Sequence, residues 1–387
     1  MRVKIEKTDN SAFFLRGKLF PFDTAFFVLT VVLAIFGTLM VFSAGSAYAE
    51  FRYDDKFFFV KRQIVWFAVG IAVMLFASRI SAKWYFRVTP YLYAVSIMLL
   101  ILVLAVGLVG NGAQRWISIG PITIQPSEIA KMTIVMTLAY YFHTNADKAL
   151  DVKHTKNKFV YGTLVPCGII AVPIFLVMLQ KHLSCIIILG IIGILVIIAS
   201  GIDTKYISFF SLGGITGVTC IAIFTDYTKD RITVWRNPEA YKLTGGWQTL
   251  QGLMAIGSGG LFGLGFGKSL LKYCYVSEPA NDMIFAILCE ELGFVGALAV
   301  LSLFALLVLR GYKIAIAANN TFERLVIFGV CTKIAVQVLL NVAVVTNTIP
   351  NTGISLPFFS YGGSSLIMLF FEIGMILSFS RNTKIIK

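Results

Sequence analysis

The sequence predicts an all-α integral membrane protein, and two observations support that fold class. Hydrophobic residues make up 58% of the 387 residues, and the mean hydropathy is +0.84. Soluble domains are only about 45–50% apolar. Apolar runs of roughly 20 residues, the length that crosses a bilayer as a helix, recur along the whole chain. An ordinary soluble enzyme or binding domain is therefore excluded.

Ten such runs predict about ten transmembrane helices within one polytopic domain, residues 1–387. The first run is too long for the apolar region of a signal peptide, about 7–15 residues, so we expect it to be retained as a span. The predicted spans are 22–44, 60–78, 86–109, 127–143, 161–180, 183–200, 206–225, 283–309, 325–346 and 362–380.

The distribution of basic residues predicts the orientation. Lys and Arg collect in cytoplasmic loops, and residues 1–21 alone contain five of them. We therefore expect 1–21 to be a cytoplasmic segment, both termini to be cytoplasmic, and the long loop 226–282 between spans seven and eight to be extracytoplasmic. The net charge of +14 is explained better by these cytoplasmic loops of a membrane protein than by binding to nucleic acid.

The long loop 226–282 does not have the composition of a disordered linker. It contains Trp235, Tyr241 and Trp247, and the stretch 246–261 predicts an amphipathic helix at the interface. The six cysteines and three histidines of the chain are scattered without metal-ligand spacing, so the sequence predicts no metal site built from them.

The stretch SEPANDMIFAILCEELGF (277–294) carries carboxylates from a loop into an apolar run. A carboxylate that enters a hydrocarbon span is costly and by default marks a functional site. Asp282 is therefore the first candidate, with Glu290 and Glu291 about two turns deeper. The structural alternative is that Asp282 caps the helix that follows it.

The segment NGAQRWISIGPITIQPSEIAK (111–131) contains the second candidate group. We expect Ser127 to cap a helix on which Glu128 and Lys131, three residues apart, share one face and pair. This pair either lets two charges enter the membrane together or lies in an outward-opening polar cavity with Arg115 at its rim.

Two further segments are rich in glycine. The stretch GSGGLFGLGFGKS (257–269) lacks the first glycine of a phosphate loop, because Phe262 occupies that position. We expect it to form a tight hairpin against the membrane surface, with Lys268 and Lys272 near lipid phosphates.

The segment NTIPNTGISLPFFSYGGSSL (347–366) predicts a re-entrant or rim loop that lines a cavity. Gln337 and Asn341, one turn apart on the preceding span, either face the same cavity or bond to neighbouring helices.

Three segments, NGAQRWISIG with QPSEIAK, GSGGLFG with SEPANDMIFAILCEELGF, and PNTGISLPFFSYGGSSL, closely resemble the SEDS family. These are the FtsW/RodA/SpoVE proteins of bacterial cell-wall synthesis. The segments occur in the family's order, and GFGKSLLKY looks more like the FtsW/SpoVE branch than the RodA branch. The resemblance implies a peptidoglycan glycosyltransferase that polymerises lipid II outside the membrane together with a class B penicillin-binding protein. The aspartate aligned with Asp282 is the family's leading catalytic candidate, and the positions of Glu128 and Lys131 are functionally sensitive.

The sequence departs from the family's pattern at two places. A Pro-Asp-x-Gly motif is usual between spans five and six, where this chain has residues 181–184, Lys-His-Leu-Ser. The usual Pro-Glu-x-His-Thr-Asp stretch is replaced by residues 277–282, Ser-Glu-Pro-Ala-Asn-Asp, so the glutamate and aspartate are kept and the His-Thr pair is not.

The implied reaction requires a group that removes a proton from the acceptor hydroxyl and cations that neutralise the departing pyrophosphate. We expect Asp282 to be the base, or alternatively the ligand of a divalent cation such as Mg²⁺ or Mn²⁺, although no cofactor is firmly implied. Lys131, Arg115 and Lys268 are candidates for phosphate contacts, with Glu128 positioning Lys131. The supporting candidates are Glu278, Glu290, Glu291, Gln337 and Ser360.

Two other functions fit the same residues. A lipid II flippase or other transporter would use carboxylates strung across the whole membrane. By contrast, the predicted topology places four acids towards the outer side: Glu128, Asp282, Glu290 and Glu291. A non-enzymatic scaffold that activates a penicillin-binding protein would tolerate replacement of Asp282.

Overall fold

The structure, a computed structural model, describes residues 22–110, 113–120, 122–149, 159–202, 226–273, 275, 279–381 and 383. The predicted N-terminal segment 1–21 and the predicted seventh span 206–225 lie outside this range. In chain order the helices are α1 (Thr24–Tyr53), α2 (Phe58–Arg79), α3 (Ala82–Val106), α4 (Pro126–Thr144), α5 (Ala146–Ala149), α6 (Val160–Leu179), α7 (Leu183–Ala199), α8 (Asp226–Arg236), α9 (Gly246–Gly259), α10 (Ile284–Ile316), α11 (Thr321–Val345) and α12 (Gly363–Ser380).

The predicted helical membrane architecture is confirmed. Seven of the described helices are long and apolar enough to cross a membrane, namely α1, α2, α3, α6, α10, α11 and α12. Helix α7 is apolar but shorter, and α4 coincides with the predicted fourth span. The number of ten spans and the side of the membrane on which 226–282 lies stay predictions.

The all-α prediction is wrong in one detail. A small antiparallel sheet lies between α3 and α4, formed by β1 (Leu108–Gly110), β2 (Ala113–Ile119) and β3 (Ile122–Ile124) in that order. Strand β3 alternates apolar and polar residues, whereas β2 departs from this period at Gln114-Arg115 and at Trp116-Ile117. Strands this short are easily predicted as loop. The sheet matters for the site because Arg115 lies on β2.

Helices α11 and α12 form the centre of the bundle. In the most apolar window of each, 67% of the residues are buried, against 22% for α2 and α3. Close approach depends on small residues: a Cβ at Gly70 of α2 would lie 2.1 Å from the Phe370 ring of α12. A Cβ at Gly329 of α11 would lie 2.4 Å from Val135 of α4. Because α11 also packs on α7 and α10, it holds together the helices that surround the site.

Helix α10 is broken at Gly293, whose φ is 68°, and the glycine-rich segment fills the break. Phe294 and Val295 donate backbone hydrogen bonds to the carbonyls of Gly260 and Leu261. In return, Leu264 and Gly265 donate to the carbonyls of Glu290 and Glu291. This close contact between the two segments requires glycine at positions 259 and 263, because a Cβ at Gly259 or Gly263 would lie within 2.2 Å of an α10 carbonyl oxygen.

The expected exposure of Lys272 to lipid phosphates is wrong. Its side chain is buried, and its Nζ lies 3.2 Å from Glu291 Oε1. The same Glu291 carboxylate accepts a hydrogen bond from the Ser43 hydroxyl of α1 at 2.6 Å. Glu290 accepts bonds from the Ser269 hydroxyl and from the Leu270 amide. The two glutamates therefore fasten the glycine-rich segment to α10, because a buried carboxylate needs such partners.

Candidate active site

One large cavity of about 760 Å³ lies between the sheet, helices α2, α4, α7, α11 and α12, and the loops that precede α10 and α12. It contains both groups that the sequence brought forward: Asp282 from the end of the long loop, and the Glu128–Lys131 pair from α4. Arg115 of β2, Gln337 of α11 and Ser360 also line it. The sequence therefore predicted residues from five separate segments that the fold brings to one place.

Asp282 is half-buried at the cavity wall, and its backbone is held from two sides. The Asn341 amide of α11 donates to the Asp282 carbonyl at 3.1 Å and to the Ile354 carbonyl at 2.6 Å. The Ser360 hydroxyl donates to the Asn281 carbonyl at 2.8 Å. Helix α10 has Met283 as its N-cap, one residue after Asp282, so Asp282 occupies neither the cap position nor the first turn. The helix-cap alternative for Asp282 is therefore not supported.

The predicted rim loop is confirmed as a cavity wall, since residues 353–355 and 360–365 line the cavity. Of the two alternatives weighed for α11, each fits one residue: Gln337 faces the cavity, and Asn341 bonds to neighbouring backbone. The loop also touches the candidate carboxylate, because a Cβ at Gly353 would lie 3.0 Å from Asp282 Oδ2.

We expect Gly353→Ala to lower turnover about 10–100-fold, because a displacement near 1 Å at the reacting groups has that effect. The residue has φ +69°, where a side chain also costs roughly 1–2 kcal/mol of stability. The measurement is turnover beside thermal unfolding. Gly201→Ala is the matched control, since Gly201 has φ +89° but no described atom within 4 Å of the added Cβ. Equal losses of turnover in both variants would contradict the prediction.

Glu128 and Lys131 pair as predicted. The Glu128 Oε1 and Lys131 Nζ atoms are 2.7 Å apart, and both side chains are almost fully buried. The predicted cap is wrong, because Gln125 is the N-cap of α4 and no side-chain cap bond forms there. Pro126 begins the helix instead, where its missing N–H costs nothing.

The cavity is electropositive. Four cationic side chains line it, from Lys61 and Arg62 of α2, Arg115 of β2 and Lys131 of α4, whereas Glu128 and Asp282 supply two negative charges. The first turns of α4, α7 and α12 also contribute lining residues, so their partial positive charges lie towards the same space. Backbone amides and cations arranged in this way favour a phosphate or pyrophosphate group.

The turn at 180–182, where the chain departs from the family's pattern, is built into the cavity wall. The Arg115 Nη2 donates to the Lys181 carbonyl at 2.6 Å. His182 is buried against the cavity, and burial together with the nearby Arg115 and Lys131 cations lowers its pKa to about 3. The imidazole is therefore neutral at pH 7 and adds no charge to the cavity.

His182 makes a pH-dependent contribution to stability. Its pKa is about 3 in the folded chain and about 6.5 when unfolded, so between these values the unfolded state binds more protons. Stability should then fall as the pH drops from 7 to 5, by up to about 1.4 kcal/mol per pH unit. We expect His182→Gln to flatten this slope in thermal unfolding, whereas the exposed His143→Gln should keep most of it. An unchanged slope in His182→Gln would contradict the assignment.

Several predicted site residues lie elsewhere. Lys268 is exposed and is not among the residues that line the cavity. Glu290 and Glu291 hold the glycine-rich segment rather than the space around Asp282. Glu278 lies outside the described residues.

Four residues of the site region were missed by sequence reasoning. Lys61 and Arg62 fall within a predicted span, although their place at its start indicates exposure to the polar region at a membrane surface. Lys333 of α11 and Glu372 of α12 form a buried ion pair below the cavity. Each lies alone in an apolar run, and intramembrane charges of this kind were a usable signal.

In the described part of the chain, no cluster of three or more His, Cys, Asp or Glu side chains forms a metal site. Asp282 and Glu128 are the carboxylates among the described residues that line the cavity, and Glu128 is paired with Lys131. These residues could bind Mg²⁺ only if the substrate's phosphates supplied further oxygen ligands beside one carboxylate.

Comparison with known proteins covers nearly the whole chain. A family model of cell cycle proteins, FtsW/RodA/SpoVE, matches residues 23–385. Stage V sporulation protein E of Bacillus subtilis is 37% identical over 365 residues, 94% of this chain and 98% of that protein. A protein of Geobacter sulfurreducens named probable peptidoglycan glycosyltransferase FtsW is 33% identical, over 94% of this chain and 96% of its own.

Solved structures show the same fold. One is a chain from a structure described as the structural coordination of polymerization and crosslinking by a peptidoglycan synthase complex. It has a TM-score of 0.76 at 25% identity, and the match covers 93% of this chain and 98% of that one. The rod shape determining protein RodA of Thermus thermophilus has a TM-score of 0.69 at 25% identity, covering 94% and 98%.

Proposed function

Because the chain belongs to the FtsW/RodA/SpoVE family of cell cycle proteins, we propose that it is a peptidoglycan glycosyltransferase. It polymerises lipid II into glycan strands at the outer face of the bacterial cytoplasmic membrane, and both of its termini are cytoplasmic. The observation that carries this proposal is the joint placement of Asp282 and four cationic side chains in one cavity. A sugar donor activated by pyrophosphate requires both kinds of group.

Strand growth forms a β-1,4 bond between two sugars and breaks the bond to undecaprenyl pyrophosphate. The acceptor hydroxyl gives its proton to Asp282, whose carboxylate is half-buried and stands on a fixed backbone. The pyrophosphate leaves with its electron pair, and Lys131, Arg115 and the α2 cations stabilise its negative charge.

A divalent cation is compatible with this arrangement. Asp282 and the substrate phosphates would hold Mg²⁺ or Mn²⁺, and the ion would supply further neutralisation of the leaving group. Dependence of turnover on added cation in the wild type, compared at several lipid II concentrations, distinguishes the role of ligand from that of base.

We also propose a class B penicillin-binding protein as the partner, in division or in related cell-wall synthesis. The support is the likeness to a chain of a peptidoglycan synthase complex. The first experiment is glycan-strand formation from labelled lipid II by the purified protein in lipid, with and without that partner. Polymer made by the partnered protein supports the proposal. Its absence would favour the scaffold alternative.

Transport of lipid II is the second candidate, because Lys333 and Glu372 place charges below the cavity. The described space beneath the cavity floor is only about 20 Å³, however, which holds one water molecule and no sugar. An assay of labelled lipid II crossing a liposome bilayer tests this alternative: movement across the bilayer without polymer formation would favour it.

A further inference from the structure

The ion pair between Lys333 and Glu372 lies among the spans, apart from the proposed reaction. Lys333 belongs to α11 and Glu372 to α12, and their side chains are 3% and 0% exposed. Two charges in the interior of a membrane bundle are costly, and a hydrophobic pair of similar volume often stabilises a protein as well or better. A contribution to stability alone is therefore a weak explanation for this pair.

A second, small cavity lies beside Lys333 and shares part of its lining with the large cavity. Its volume is about 20 Å³, and its lining includes Lys333, Glu128, Gln337, Ser360 and Ser365. All of these except Lys333 also line the large cavity. A polar space of this size holds one water molecule with partners on several sides. Glu128 thus faces Lys131 on one side, at 2.7 Å, and the space next to Lys333 on the other.

The hydrogen bonding of Glu372 supports a role beyond local pairing. Its Oε1 has no hydrogen-bond partner in the part of the chain that the structure describes, although the residue is fully buried. A pair that served structure alone would be expected to satisfy both oxygens. Glu372 supplies the negative charge that lets a second ammonium group stand below Glu128, and the four side chains together are neutral.

We propose that Lys333 is a positioning residue for Glu128 and Lys131, which it reaches through a single water molecule in the small cavity. With Glu128 shared between two ammonium groups, Lys131 stays fixed at the cavity floor with N–H donors left for a substrate phosphate. Glu372 is the counter-charge that keeps Lys333 in place. This inference rests on the proposed glycosyltransferase function.

The test measures glycan-strand formation from labelled lipid II by two double variants, each purified together with the penicillin-binding partner. Lys333→Met with Glu372→Gln removes both charges and leaves neither unpaired. Lys333→Glu with Glu372→Lys keeps an ion pair but turns a carboxylate towards Glu128. We expect both folded variants to lose at least tenfold in kcat/KM. A merely structural pair would be replaced by the exchanged one, so wild-type turnover in either folded variant would overturn the proposal.

The matched control is another ion pair, between Arg310 of α10 and Asp23, the N-cap of α1. The Arg310 Nη2 and Asp23 Oδ2 atoms are 2.6 Å apart. Arg310→Met with Asp23→Asn should change thermal stability and leave kcat/KM within about twofold. A high-resolution structure of the wild type adds a measurement that needs no variant: an ordered water between Glu128 and Lys333 is expected, and a dry cavity would overturn the proposal. If the wild type itself makes no polymer while this water is present, the proposed function fails and the positioning contact stands.

Discussion

Asp282→Asn should reduce glycan-strand formation by about 10²–10⁴-fold, the usual contribution of a general base. The amide has nearly the shape of the carboxylate but cannot take the proton of the acceptor hydroxyl. The fold should persist, because Asn341 and Ser360 hold the backbone of residues 281–282 through carbonyl groups that the substitution does not change. The measurement is polymer length and rate from labelled lipid II in the partnered protein.

Glu239→Gln is the control for this variant. Glu239 is an exposed acid of the same predicted extracytoplasmic loop and does not line the cavity, so its loss should leave the rate unchanged. A folded Asp282→Asn protein that polymerises lipid II at the wild-type rate would contradict the role of Asp282. Retained activation of the partner's crosslinking by that variant would then favour a scaffold.

The second large effect is expected at Glu291. Glu291→Leu leaves the Lys272 ammonium buried without its counter-charge, and breaking a buried pair in this way typically costs about 3–5 kcal/mol. The Ser43 hydroxyl loses its acceptor as well. We therefore expect a large fall in the free energy of unfolding in detergent, and loss of turnover because the segment before Asp282 is no longer held.

Glu291→Leu combined with Lys272→Met should recover most of the stability, since no unpaired charge is left. Lys61→Met is the matched control: it breaks the Lys61–Asp55 pair, whose side chains are 65% and 35% exposed. Exposed pairs contribute about 0–1 kcal/mol, so this change should be small. A similar loss of stability for Lys61→Met and Glu291→Leu would contradict the structural role given to the buried carboxylate.

Local spacing explains how the sequence indicated residues that the structure places in one cavity. Glu128 and Lys131 are three residues apart on one helix, so their pairing at 2.7 Å follows from helix geometry alone. Asp282 was found because a carboxylate at the edge of an apolar run is unusual, whatever the rest of the fold.

Contacts between distant segments explain what sequence reasoning missed. Glu291 meets Lys272 and Ser43, which are 19 and 248 residues away in the chain. No periodicity indicates such partners, so Glu291 was assigned to the neighbourhood of Asp282 instead. The pair of Lys333 and Glu372 spans 39 residues, and its significance depends on α11 and α12 lying side by side.

The break in α10 restricts the movement of Asp282. The glycine-rich segment and α10 are joined by four backbone hydrogen bonds, so the chain from Gly265 to Glu291 is a loop closed at its base. Asp282 lies two residues before α10, and because these bonds hold α10 at Glu290 and Glu291, they oppose movement of Asp282 towards or away from the membrane centre. In the proposed reaction, two lipid-anchored sugars would therefore travel to this carboxylate, and successive additions would move the growing strand past one position in the membrane.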